Sequence, residues 1–181
     1  MIIYLEGIDK PYVCAFDLEH DQGRLLQYAG ILLKRVGINL YQICRSLNFY
    51  IKQERLSAFI ENFSHIDINF IREYGISKEE GQQLLNEFFQ NIDSEDILFT
   101  SHGACQDYLT LKENDFYIGD TIETLCTYEL AKEVLGRKNN LTANDVALEC
   151  GYYNPCNHNA YGDALSTIII LSYLLKKKGE L

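Results

Sequence analysis

The sequence predicts an α/β fold, a mixed β-sheet with helices on its faces. Three observations lead there. Tyr12–Leu18, Leu25–Lys34 and Tyr41–Lys52 are apolar and aromatic runs joined by short connections, a pattern that favours an antiparallel meander. From Ser77 onward, helical periods alternate with short apolar segments. No internal repeat, low-complexity stretch or linker interrupts the 181 residues, so a single domain spanning 1–181 is expected.

Each element has its own signal. Asp21–Gln22–Gly23 and Val36–Gly37–Ile38–Asn39 supply the Gly and Asn that turns use. Segment 56–75 mixes apolar and polar residues without a clean period and reads as irregular with short helical pieces. Ser77 opens a firm helix: Ser77 and Glu80 have capping-box spacing, and Leu84, Leu85, Phe88, Phe89 and Ile92 line one face. Asp96–Thr100 is expected as a strand, Ala104–Leu111 as a helix, and Phe116–Ile118 as a strand entering Asp120. Glu123–Leu135 reads as a helix stopped by Gly136, and Thr142–Glu149 as a shorter one ending near Gly151. Asn154–Pro155 marks a loop. Gly162–Lys177 is the last long helix, with Asn154–Pro155 and Gly162 as the breakers before it.

Composition narrows the function classes. A hydrophobic share of 47% with 23% charged residues is that of a globular protein rather than a disordered one. The longest apolar stretch, 164–175, is shorter than the ~18 residues of a membrane helix and carries hydroxyls. The N-terminus lacks the basic region and small-residue cleavage site of a signal peptide, so a cytoplasmic location without membrane partners is expected. A net charge of −10 argues against extensive binding to duplex phosphates, which Lys and Arg drive. Lys34–Arg35, Arg137–Lys138 and Lys176–Lys178 read as solvated surface or helix C-terminal charge. The six cysteines show no C-x-x-C spacing and read as small hydrophobes. Cys150, Cys156 and His158 have no fourth ligand that would make a zinc site.

Five polar residues in three distant segments carry the chemistry. Asp17 and Glu19 lie in YVCAFDLEH (12–20), Asp107 in FTSHGACQDYL (99–109), and His158 and Asp163 in NHNAYGDALS (157–166). Each acid adjoins an apolar run, where an unpaired charge is costly. Side chains alternate along a strand, so Asp17 and Glu19 project to one side. Alone, that pair better describes two solvated acids, or one salt bridge, on an edge strand; the run YVCAF before them argues for a buried central one. Asp107 falls near the start of a predicted helix, where an acid is also favoured by the helix dipole alone. His158 and Asp163 would sit about 140° apart on one continuous helix. They can face one cleft if His158 is in the loop and Asp163 in the first turn. Four carboxylates converging in a fold repel one another, and oxygen ligands of this kind suit Mg²⁺ or Mn²⁺. A metal-dependent phosphoryl-transfer site is the reading these residues support.

At these residues the chain resembles the DnaQ-like, or DEDDh, family of 3′→5′ exonucleases on the ribonuclease H-like fold. Phe16–Asp17–Leu18–Glu19 is similar to the family's F-D-x-E strand. ILFTSHGACQD is similar to its hydrophobic strand, His-containing turn and Asp, ending at Asp107. His158, Ala160, Asp163 and Ala164 match H-x-A-x-x-D-A. The resemblance runs from about Tyr12 to about Leu175, with the motifs in order. Two positions depart from it: His20 stands where many members have Thr, and Gln106 where many have Phe. Neither position supplies a metal oxygen.

The resemblance implies an antiparallel set of first strands followed by parallel ones, with helices on both faces. It implies two ions, Mg²⁺ or Mn²⁺. Asp17, Glu19 and Asp163 would hold one; Asp17 and, through water, Asp107 would position the second. His158 would be the general base, and 5′-mononucleotides would leave single-stranded or frayed 3′ ends, DNA in preference to RNA. The alternatives are an exoribonuclease acting on short RNA and a non-catalytic module associated with nucleic acid, a DNA polymerase or another protein. Leu18 and His20 are expected as substrate contacts, and His102, in the turn before Gly103, as a structural residue or a substrate contact. The acidic charge is compatible with a protein that grips only a few terminal nucleotides, because bound divalent ions change the local sign.

Overall fold

The computed structural model describes residues 1–63, 66–136 and 141–180. Its sheet is built from β1 (Ile2–Tyr4), β2 (Tyr12–Asp21), β3 (Arg24–Gly37), β4 (Leu40–Tyr50), β5 (Ile97–Ser101) and β6 (Glu123–Cys126). The strands lie in the order β1-β4-β3-β2-β5-β6. The β1–β4, β4–β3 and β3–β2 pairs are antiparallel, whereas β2–β5 and β5–β6 are parallel. The expected antiparallel meander is therefore present, followed by parallel strands. Gln22 and Gly23, both at positive φ, form a two-residue turn that matches the twist of the β2–β3 hairpin.

Among the described residues seven α-helices complete the fold: α1 (Ala58–Phe63), α2 (Ile68–Tyr74), α3 (Lys78–Phe88), α4 (Ala104–Glu113), α5 (Thr127–Leu135), α6 (Ala143–Glu149) and α7 (Ala160–Gly179). The short helices α1 and α2 fall in the segment expected to be irregular with helical pieces. The capping box of α3 forms in both directions: Ser77 accepts from the Glu80 N–H, and Glu80 accepts from the Ser77 N–H. A second box, Thr142 with Asp145, starts α6. Gly136 ends α5 in the left-handed region. None of the helices among the described residues is long and apolar enough to cross a membrane.

Among the described residues the core is two large clusters, one on each face of the sheet, and a smaller third of Leu26, Ile60, Ile66 and Ile71. Val13, Ala15, Ile31, Leu33 and Leu98 pack with Leu130, Val146, Ile168 and Leu171 from α5, α6 and α7. Cys14, Phe16, Leu18, Leu32 and Phe99 pack with Leu85, Phe88 and Leu111 from α3 and α4. Coverage of both faces explains why β3 reads as an unbroken buried run from Leu25 to Leu33 instead of alternating.

Three expectations are corrected. Phe116–Ile118 is not a strand. Both ends are buried, but the Tyr117 N–H donates to Gln82 Oε1 and its carbonyl accepts from Gln82 Nε2, so a side chain of α3 takes the place of a sheet neighbour. The strand lies later, at Glu123–Cys126, which had read as the start of a helix; pairing with Leu98–Ser101 overrides its helical period. Strand β1, with only three residues, had no readable period. Gly162 is no breaker but the third residue of α7. Lys176–Lys178 occupy the last turn of α7, as a helix C-terminus favours. Arg137–Lys138 lies outside the described residues.

Candidate active site

Alternation along β2 sends even residues to the α3–α4 face and odd ones to the α7 face. Val13 and Ala15 enter the core there; Asp17 and Glu19, two and four residues further, emerge beside the start of α7. Asp163 stands in the first turn of α7. Carboxylate oxygens of Asp17, Glu19 and Asp163 all lie within 4.8 Å of one another, and all three residues are partly buried. Asp107, in the first turn of α4, accepts a hydrogen bond from Ser101 Oγ at the end of β5. It stands outside that group of three but faces the same cleft of about 570 Å³, lined also by Asp17, His158, Asp163 and Asn144.

The electrostatics follow from crowding. Burial, then the charges of Asp107, Asp163 and Glu19, holds the Asp17 carboxyl well above the usual range. Burial and the charges of Asp163 and Asp107 push Glu19 up to about 7. Burial raises Asp163 to about 6 against two hydrogen bonds that favour its charged form. Burial likewise raises Asp107 to about 6, opposed by Ser101. Among the described residues no Lys or Arg pairs with any of the four. An all-oxygen donor set with uncompensated charge fits a hard divalent cation, and does not fit a thiolate metal.

His158 adopts a left-handed backbone, φ 61°, which is uncommon for a residue with a Cβ. That turn directs its N–H to Asp163 Oδ2 at 3.1 Å. The other carboxylate oxygen accepts from Asn154 Nδ2 at 2.7 Å. Asn154 is buried, and its Oδ1 accepts from the Cys156 N–H, so one amide ties the loop to the acid. The sequence had suggested only a breaker at Asn154–Pro155. Loop and helix meet at Gly162, where a Cβ would lie 2.7 Å from the Cys156 carbonyl and 2.9 Å from Asn154 Oδ1. Gly162→Ala would gain roughly 1 kcal/mol of helix propensity, yet the clash is with a backbone oxygen that cannot rotate away. We expect net destabilisation of ~1–3 kcal/mol, read as a lower thermal midpoint; an unchanged or higher midpoint would show that the loop yields freely.

The three residues expected to touch substrate take different positions. Leu18 points to the opposite face, buried among Phe16, Tyr28 and Phe99, because strand alternation separates it from Asp17. His20 is exposed beyond a register irregularity at Glu19/His20 and does not line the cleft. His102 does line it, but both ring nitrogens are engaged: Nδ1 meets Thr127 Oγ1 at 3.0 Å and Nε2 the Leu141 carbonyl at 2.7 Å. Burial lowers its pKa and so favours the neutral ring; the Leu141 carbonyl can only accept, so Nε2–H donates to it, and Nδ1 lies beside the Thr127 hydroxyl. His102 is a strut joining the β5–α4 turn to α5 and to the residues before α6.

A mixed sheet in this order, with acids gathered where β2 meets α4 and α7, defines the ribonuclease H-like exonuclease class. The sequence profile of the RNase T exonuclease family matches residues 15–171, and the chain belongs to that family. Among solved structures it is similar to E. coli exonuclease I in complex with a dA16 oligonucleotide, with a TM-score of 0.73 and 12% identity over 94% of this chain and 42% of that one. It is similar also to a full-length 3′-exonuclease, with a TM-score of 0.68 and 11% identity over 95% of this chain and 84% of that one. A third, described by 3′-end specific recognition of histone mRNA stem-loop by 3′-exonuclease, has a TM-score of 0.64 and 11% identity over 92% of this chain and 82% of that one. The chain thus spans less than half the length of exonuclease I. No curated protein sequence matches it.

Proposed function

We propose that this chain is a metal-dependent 3′→5′ exonuclease, one catalytic domain that hydrolyses the last phosphodiester of single-stranded or frayed 3′ ends and releases 5′-mononucleotides. The observation that carries the reading is the convergence of Asp17, Glu19 and Asp163 within 4.8 Å, beside a cleft that also holds Asp107 and His158. In this reading Asp17, Glu19 and Asp163 would hold one Mg²⁺ or Mn²⁺, and Asp17 and Asp107 would help position a second. Bound divalent ions would supply positive charge to the attacking and leaving oxygens of an in-line displacement. Asn154 keeps the Asp163 carboxylate aimed into the cleft. His158, in the loop before α7, accepts the proton of the attacking water, while Asp163 is held in the first turn of the helix. A cytoplasmic setting belongs to the same reading, supported by six free thiols.

DNA is the favoured substrate here, as for the oligonucleotide complex of exonuclease I. An exoribonuclease is the second reading, favoured by coverage: the chain spans 82% of the 3′-exonuclease described by histone mRNA recognition, against 42% of exonuclease I. One assay separates them. Purified protein with Mn²⁺ is given 3′- or 5′-labelled DNA and RNA strands, a strand with a 3′-phosphate, and circular single-stranded DNA. Expected are mononucleotides from the 3′ end, strong slowing by the 3′-phosphate and an intact circle, all abolished by EDTA. Efficient cutting of the circle would make it an endonuclease, and faster loss of RNA would select the second reading.

A further inference from the structure

Across β2, β3 and β4, two rows of paired residues face α7: Asp17–Ala29–Asn48 and Glu19–Gln27–Tyr50. Gln27 is fully buried, which is costly for an amide unless both its ends are bonded. They are. Gln27 Nε2 donates to Asn48 Oδ1 at 2.9 Å, and Gln27 Oε1 accepts from the Ala160 N–H at 3.2 Å. Ala160 is the first residue of α7, and its N–H is one that no helical carbonyl can satisfy. A second tie lies alongside: Asn159 Nδ2 donates to the Tyr50 hydroxyl at 3.1 Å. Without Gln27, the start of α7 would rest on the sheet through the bond from Asn159 to Tyr50 and through apolar contacts, which have no direction.

We infer that Gln27 is a positioning residue for the acidic site: it fixes the start of α7 over β2 and so sets Asp163 against Glu19. The geometry is specific to this role. Gln27 is the cross-strand partner of Glu19 and bonds the helix three residues before Asp163, so one amide spans from the strand bearing two acids' neighbours to the helix bearing the third. It does not line the cleft and touches no reacting group. The turnover arm of its test rests on the proposed nuclease activity; the other arms do not.

The test compares the full chain with Gln27→Met, similar in length but without hydrogen bonds, and Asn48→Ala, which frees only the donor end. Amide exchange of the metal-free protein is followed by NMR, Mn²⁺ affinity by electron paramagnetic resonance, and turnover on a labelled DNA strand. Gln27→Met is expected to exchange the Ala160 amide roughly tenfold faster, with the middle of α7 unchanged. Its Mn²⁺ affinity and turnover should both fall ~10–100-fold, as outer-shell changes do, with KM little altered. Asn48→Ala should move the same readouts in the same direction and less far. A Gln27→Met protein with wild-type Ala160 exchange and wild-type Mn²⁺ affinity would overturn the inference. Should that variant not fold, Asn48→Ala decides by the same two readouts. A wild-type protein that binds Mn²⁺ but cleaves nothing would sink the nuclease reading and leave the positioning of Asp163 to stand or fall on exchange and affinity.

Discussion

Asp17→Asn is expected to lower cleavage by several orders of magnitude and, at neutral pH without metal, to make the protein more stable. Asp17 is central to the site, shared between both proposed cation positions. Its stability effect has a definite sign. All four acids have folded-state pKa values above the ~4 of an unfolded carboxylate. Between the unfolded and folded values the native state binds more protons, so stability falls as pH rises. The contribution is fully present below about pH 4. It is lost as pH climbs through about 6 for Asp107 and Asp163 and about 7 for Glu19. The variant removes one charge, so in EDTA at pH 7.5 its thermal midpoint should exceed the wild type's, and the gap should close by pH 4. Mn²⁺ should raise the wild-type midpoint far more than the variant's. Undiminished turnover would end the assignment, and an unchanged midpoint in EDTA would show that the acids are not strained together.

His158→Ala should lower turnover by ~10²–10⁴-fold, the usual loss for one positioned base. Mn²⁺ affinity should hardly change, because the bond from loop to acid comes from the backbone N–H of residue 158, which alanine retains. The left-handed φ is somewhat harder for alanine than for histidine, so a modest drop in midpoint is expected as well. The acidic limb of the pH–rate profile should flatten at saturating Mn²⁺, where the carboxylates are held ionised. A variant keeping both near-normal turnover and that limb would mean that another group takes the proton.

The acids were legible because their chemistry is local: alternation on β2 puts Asp17 and Glu19 together, and each motif adjoins its own strand or helix. The helices with capping residues were equally plain, as at Ser77. What could not be read were long-range pairings. Glu123–Cys126 is a strand only because β5 lies beside it, and Phe116–Ile118 fails to be one because Gln82 reaches its backbone first. Leu18 was placed beside Asp17 by sequence adjacency, although strand alternation put it on the other face. His102 and Asn154 each bond partners that only the fold brings close. Gln27 did leave a trace: one amide in the run LLQYAGILL, polar where everything around it is apolar.

One feature of β2 bears on how sequences like this can change. Its odd positions carry Val13, Ala15, Asp17 and Glu19 in turn, while its even positions carry Cys14, Phe16 and Leu18 into the opposite core. The strand has, in effect, a reading frame with a step of two. Deleting or inserting one residue inside the strand, between Tyr12 and Phe16, would turn both acids toward Phe99 and Tyr28 and present Phe16 and Leu18 to the cleft. Loss of the fold and loss of the chemistry would then be a single event. A point substitution here leaves the frame of the strand intact, whereas a change of length keeps it only if it falls in the loops at the two ends of β2.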